Sequence, residues 1–228
     1  MNPALPDNKD TIRSRKGGVK ALLSEYKLRK NEIKKRLKEF SALQNAKDED
    51  IFSELCFCLL TPQSKAVYCD KAVKELKCSG LLFRGSKNII KEILRGNVRF
   101  HNKKAEYLVG ARELLGLGGK LSVKKKLDMQ DAFKTREWLV CNIKGLGYKE
   151  ASHFLRNIGL GKDMAIIDRH ILKNMKRYGA IREIPASVTK SNYINMEEAM
   201  RNFSKKVKIP MEELDLLFWS SQTGFVFK

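Results

Sequence analysis

Along residues 19–43 the apolar positions Leu22, Leu23, Tyr26, Ile33, Leu37, Phe40 and Leu43 recur at helical spacing, with Lys and Arg crowding the face between them. The pattern predicts a long basic amphipathic helix whose apolar stripe turns inward. Residues 48–60 carry Ile51, Leu55 and Leu59 on one stripe and read as a buried helix. Thr61-Pro62 then fits the opening of a further helix, Thr61 as N-cap and Pro62 at the first helical position. Similar periodicity marks 66–76, 89–94, 104–115 and 132–143, separated by short glycine-containing breaks. No sustained Val/Ile/Thr alternation occurs, so strands are minor at best and the fold class is all-α.

A chain of 228 residues suffices for one large domain or for two small lobes. The pattern is read as two helical lobes with an active-site cleft between them. Residues 15–66 together with 163–228 form one lobe and 67–162 the other. Residues 1–14, with two prolines and mixed charges but no periodicity, read as a mobile tail.

Charge narrows the partner. With 46 Lys+Arg against 26 Asp+Glu the formal net charge is +20. That exceeds what solubility requires and suits a polyanion, nucleic acid first and an anionic membrane second. No apolar run approaches the roughly 20 residues of a membrane helix, and the first residues lack the basic and apolar regions of a signal peptide. A soluble, cytoplasmic, nucleoid-associated monomer is expected. The five cysteines, Cys56, Cys58, Cys69, Cys78 and Cys141, read as reduced core thiols, because no second pair and no nearby histidines complete a zinc set. No metal is expected.

The most informative stretch is 132–158. One amphipathic helix ends near Asn142, Lys144-Gly145-Leu146-Gly147 makes a tight turn, and a second helix begins near Tyr148, with Ala151, Phe154, Leu155 and Ile158 as its apolar face. Gly145 and Gly147 permit positive φ and close backbone approach, while N–H groups point outward at the helix start. Such a turn can grip a DNA phosphate without reading sequence. Taken alone, the same glycines fit an ordinary helix-helix turn. Likewise Asp168 alone fits an N-cap of a helix over 169–178, and Trp219, on an amphipathic helix over 210–221, fits a core position. His153 and His170 have no partner pattern for a metal and read as packing or surface histidines.

Lys149 lies just inside the second helix and Asp168 follows it by 19 residues, in Ile166-Ile167-Asp168-Arg169-His170. This combination of G-L-G-Y-K with I-D-R-H resembles the helix-hairpin-helix superfamily of DNA glycosylases. The terminal run Trp219-Ser220-Ser221-Gln222-Thr223-Gly224 through Lys228 narrows the resemblance to the second, largely archaeal family of 8-oxoguanine DNA glycosylase/AP lyases. The likeness runs from about Phe52 to the last residue. The loop at 159–164 holds two glycines but no proline, and no cysteine follows Cys141, whereas other branches of the superfamily carry a four-cysteine cluster there.

The resemblance implies a lysine nucleophile at Lys149 and a carboxylate partner at Asp168. Breaking an N-glycosidic bond puts positive charge on the sugar, so a carboxylate and an amine are a natural pair. Imine formation and β-elimination need neither metal nor cofactor. The partner is double-stranded DNA with an oxidised base, which must be rotated out of the stack and held between flat side chains. The resemblance further implies that Trp219 stacks on that base, that Lys228 reaches its edge through the terminal carboxylate, and that Gln63 fills the vacated space. Phe100 is the candidate for the opposite face of the base. Lys65, Lys144 and the basic first helix supply phosphate contacts, alongside Gly145 and Gly147. Two other readings stay open: a related enzyme for another damaged base, and a non-catalytic module that only clamps DNA.

Overall fold

The computed structural model describes residues 9–228, with the backbone alone at 9–17, 222 and 223. These residues form α1 (Lys9–Leu43), α2 (Asp48–Leu60), α3 (Ala66–Cys78), α4 (Leu81–Arg84), α5 (Lys87–Leu94) and α6 (His101–Leu114). A two-residue hairpin, β1 (Gly116–Leu117) and β2 (Lys120–Leu121), follows. After it come α7 (Val123–Lys126), α8 (Ala132–Asn142), α9 (Tyr148–Asn157), α10 (Arg169–Arg177), α11 (Lys190–Val207) and α12 (Met211–Thr223). The class is all-α, and among the described residues the strands amount to that one antiparallel pair. None of the described helices is long and apolar enough to cross a membrane.

The fold divides into two units. The first joins residues 9–36 to Ile167–Phe227, and the second spans Leu37–Ile166 and takes in Lys228. In the first, Leu22 and Ile33 of α1, Met175 of α10, Phe203 of α11 and Leu214 and Phe218 of α12 form the core. Phe218 stacks on Tyr178 at 5.5 Å. Buried polar groups find partners: Asn174 Nδ2 donates to the Phe218 carbonyl at 2.9 Å, and Tyr26 OH to Glu213 Oε2 at 2.6 Å. Burial and the Glu213 carboxylate together push the Tyr26 phenol well above its ordinary value.

The second unit is organised on α2, buried from Ile51 through Leu60 and packed against α3, α6, α7 and α9. The border falls at Arg36–Leu37 and at Ile166–Ile167, and the packing of α2 on α3 and α9 rules out a border at the 66/67 position read from the sequence. The sequence reading put α2 in a lobe apart from α3 and α9, yet these helices share one core.

Three further expectations change. Residues 9–14, read as tail, are the first turns of α1, whereas 1–8 lie outside the described residues. Thr61 ends α2 and does not open α3: its Oγ1 donates back to the Cys58 carbonyl at 2.8 Å, and α3 starts only at Ala66. Of the five cysteines, Cys56, Cys58 and Cys69 are buried, but Cys78 and Cys141 are exposed. Burial pushes the Cys56 and Cys58 thiols well above their ordinary value and the Cys69 thiol to about 11, so all three stay protonated at neutral pH.

Candidate active site

The turn between α8 and α9 is built as its glycines require. Ile143 ends α8, Leu146 N–H donates to the Ile143 carbonyl at 3.2 Å, and Gly145 takes φ +88°. A Cβ at Gly145 would fall on the Tyr107 ring of α6, so the position has neither the backbone freedom nor the space for another residue. Gly147 begins α9 in an extended conformation and supplies no side-chain cap. As the N-cap, Gly147 offers no side-chain acceptor of its own to the first N–H groups of α9, which lie at the positive end of the helix dipole. The two helices are tied by Tyr148 OH, which donates to Glu137 Oε2 at 2.6 Å, and by Arg136 Nη1, which donates to Ser152 Oγ at 3.1 Å. Lys144, on the turn, is exposed and 3.4 Å from Glu106 Oε1.

Lys149 occupies the first turn of α9, part-buried, with Nζ 2.8 Å from Glu150 Oε1. Deeper in the same unit lies a chain of charges. Lys228 Nζ is 3.1 Å from Glu54 Oε2 and 2.8 Å from Asp70 Oδ1, and 4.6 Å over the Phe57 ring. Glu54 Oε1 also accepts from Asn157 Nδ2 at 2.7 Å, and Asn157 Oδ1 accepts from Arg156. Burial alone would lower the Lys228 ammonium, but Glu54 and Asp70 outweigh it and hold the group above its ordinary value. Burial likewise works against the Asp70 carboxylate, and Lys228 and Lys74 overcome it, keeping Asp70 below the usual range. The terminal residue is thus anchored by its side chain. Glu54 and Asp70 were missed in the sequence; the available signal was a lone glutamate inside the apolar stretch of α2.

Gln63 and Phe100 sit on adjoining loops, both exposed and both with positive φ, 55° and 58°. A non-glycine residue holds that conformation only where its surroundings impose it. Lys104 and Ser64 do so here. Lys104 Nζ donates to the carbonyls of Leu60 and Pro62, each at 2.7 Å, and to Ser64 Oγ at 3.0 Å. Ser64 Oγ in turn accepts from Arg99 N–H at 3.0 Å, joining the loop of Gln63 to that of Phe100. Burial brings the Lys104 ammonium down to about 8. Lys65 is exposed at the start of α3, 5.8 Å over the Tyr68 ring.

The first unit holds the other two candidates. Asp168 is the N-cap of α10, its Oδ1 accepting from Ile171 N–H at 2.8 Å. Trp219 is part-buried on α12, edge-on to Phe225 at 5.9 Å and nearly parallel to Phe227 at 6.4 Å. Three aromatic rings thus gather where the sequence offered one.

Comparison with known proteins points one way. A family model described as 8-oxoguanine DNA glycosylase matches residues 33–209. An 8-oxoguanine DNA glycosylase/AP lyase of Fusobacterium nucleatum is 44% identical over 205 residues, covering 89% of this chain and 94% of the relative. One of Methanocaldococcus jannaschii is 39% identical over 203 residues, covering 87% and 93%. Among solved structures, the Methanocaldococcus jannaschii 8-oxoguanine glycosylase/lyase, crystallised with a 15mer DNA containing 8-oxoguanine, superposes with a TM-score of 0.81 at 36% identity. That match covers 91% of this chain and 99% of the other. The 8-oxoguanine DNA glycosylase of Thermotoga maritima superposes with 0.82 at 37% identity, covering 94% and 100%.

Proposed function

The chain belongs to the 8-oxoguanine DNA glycosylase family, and from that premise we propose that it excises 8-oxoguanine from double-stranded DNA and then cuts the strand as a lyase. The reading rests chiefly on Lys149, an amine in the first turn of a helix that follows a glycine turn. The turn between α8 and α9 holds the DNA backbone through the uncapped N–H groups of α9, with Lys144, Lys65 and the basic face of α1 adding phosphate contacts that weaken with salt. The lesion is rotated out, Gln63 occupies its place in the stack, and Trp219 and Phe100 flank the base.

Lys149 Nζ, once it has shed its proton and left Glu150, attacks C1′ of the damaged nucleotide. The N-glycosidic bond breaks and the base leaves with the bonding pair. Asp168 stabilises the positive charge that develops on the sugar and orients the amine. The sugar ring opens to a Schiff base on Lys149, loss of a proton from C2′ expels the 3′ phosphate, and water then releases the enzyme. The enzyme acts as a monomer, in the cytoplasm and at the nucleoid. A panel of duplexes bearing 8-oxoguanine, an oxidised pyrimidine or an alkylated adenine tests the assignment. Release of 8-oxoguanine at least about tenfold faster than of the others is expected, a margin of roughly 1.4 kcal/mol in the barrier. Faster release of either other base would overturn it.

A further inference from the structure

Lys104, on α6, lies where lysines seldom do. It is only 4% exposed, and its ammonium group rests on three neutral oxygens: the Leu60 carbonyl, the Pro62 carbonyl and Ser64 Oγ. An ammonium group has three N–H donors, so each is used once. Leu60 closes α2, and its carbonyl lies at the negative end of that helix dipole, which favours a cation there. Burying a charge is nevertheless costly, and an apolar chain of similar length would fill the space without that cost. What the charge adds is the shape of the segment that it grips.

All three acceptors belong to residues 60–64, the end of α2 and the turn that carries Gln63. Ser64 N–H donates to the Thr61 carbonyl at 3.0 Å within that turn. Gln63 is exposed at its tip with φ +55°, a conformation that a non-glycine residue keeps only under constraint. Lys104 is fastened at its other end as well, since its own N–H donates to the Phe100 carbonyl at 3.0 Å. Ser64 Oγ, accepting from both Lys104 Nζ and Arg99 N–H, closes the circuit. The Gln63 turn is thereby fixed to the start of α6 by bonds to main chain and to Ser64, none of which uses the Gln63 side chain.

A nucleotide leaves a paired stack only against the cost of unpairing and unstacking it. A side chain that fills the space offsets this cost fully only when it arrives already ordered; a loose turn would have to be ordered at that moment, at the expense of the step. We infer that Lys104 is a positioning residue for nucleotide extrusion, holding the Gln63 turn in its filling shape before DNA arrives. The inference rests on the proposed excision of 8-oxoguanine and on the place given there to Gln63.

The test is single-turnover excision of 8-oxoguanine from two duplexes, one fully paired and one with the lesion inside a bubble of mismatched positions, where most of the extrusion cost is absent. The readout is the ratio of the paired rate to the bubble rate, in which any change in the chemistry at Lys149 cancels. K104M should lower that ratio by about tenfold relative to wild type. S64A, which alters no charge, should lower it by about threefold, and it decides alone should K104M fail to fold. In a Q63A background K104M should lower the ratio by less than about twofold further, because the side chain that Lys104 positions is gone. A ratio unchanged by K104M or by S64A, equal losses on both duplexes, or an undiminished effect of K104M in the Q63A background would each overturn the role given to Lys104. A wild type that releases 8-oxoguanine from neither duplex would instead overturn the proposed activity itself.

Discussion

The two helices that carry the proposed catalytic groups begin in opposite ways. At the start of α9, Gly147 offers no side-chain cap to the first N–H groups of the helix. At the start of α10, Asp168 brings its own anion, which accepts from Ile171 N–H at 2.8 Å. A start without a side-chain cap forgoes about 1 kcal/mol of helix stability and in exchange suits the approach of an outside anion. A capped start holds a carboxylate in one place, with its second oxygen left over for chemistry. The contrast teaches that a helix terminus in this protein is finished according to what must approach it.

The sharpest way to break the comparison is at Asp168. Asp168→Asn keeps a good N-cap but removes the charge, so excision should fall by roughly 100-fold or more while thermal stability stays nearly unchanged. Asp168→Ala should lose the same activity and, in addition, about 1 kcal/mol in denaturant unfolding. Equal stability of the two variants would deny the capping role, and retained excision in Asp168→Asn would deny the catalytic one.

At the open start the two glycines should behave differently. Gly145→Ala adds a Cβ at φ +88° against the Tyr107 ring, and DNA affinity measured by anisotropy should drop by about tenfold or more as the turn distorts. Gly147→Ser meets only the end of the Glu150 side chain and adopts an ordinary extended conformation. It should cap α9, gain a few tenths of a kcal/mol in stability and lose only a fewfold in DNA affinity.

The smallest effect concerns Lys104. Its ammonium titrates near 8 in the folded protein, below the ordinary lysine value that the unfolded chain keeps. The unfolded state therefore binds more protons between about 8 and 10, and this group's contribution to stability rises with pH across that window. Wild type should gain on Lys104→Met between pH 7.5 and 9.5 in parallel unfolding curves; a constant gap would contradict the depressed titration.

How far the molecule was legible in the sequence depended on whether the deciding contacts were local. The helices at 48–60, 132–142 and 148–157 follow from their apolar stripes, and Asp168 as a cap from the residues beside it. Thr61-Pro62 has the chemistry of a helix start, but Lys104, more than forty residues on, holds the Leu60 and Pro62 carbonyls and keeps the segment a turn. The helix α11 escaped notice because its buried stripe includes Glu197 and Ser204 beside Tyr193, Met200 and Phe203. The acidic seat of Lys228, Glu54 and Asp70, draws on two helices and the chain terminus, and no spacing in the sequence announces it.

Everything proposed for the chemistry passes through a covalent bond between Lys149 and the sugar. Borohydride reduction of the protein on a duplex containing 8-oxoguanine should trap a protein–DNA adduct, resolved by electrophoresis, and Lys149→Gln should give none while still binding the duplex. An adduct of undiminished yield from Lys149→Gln would contradict the account.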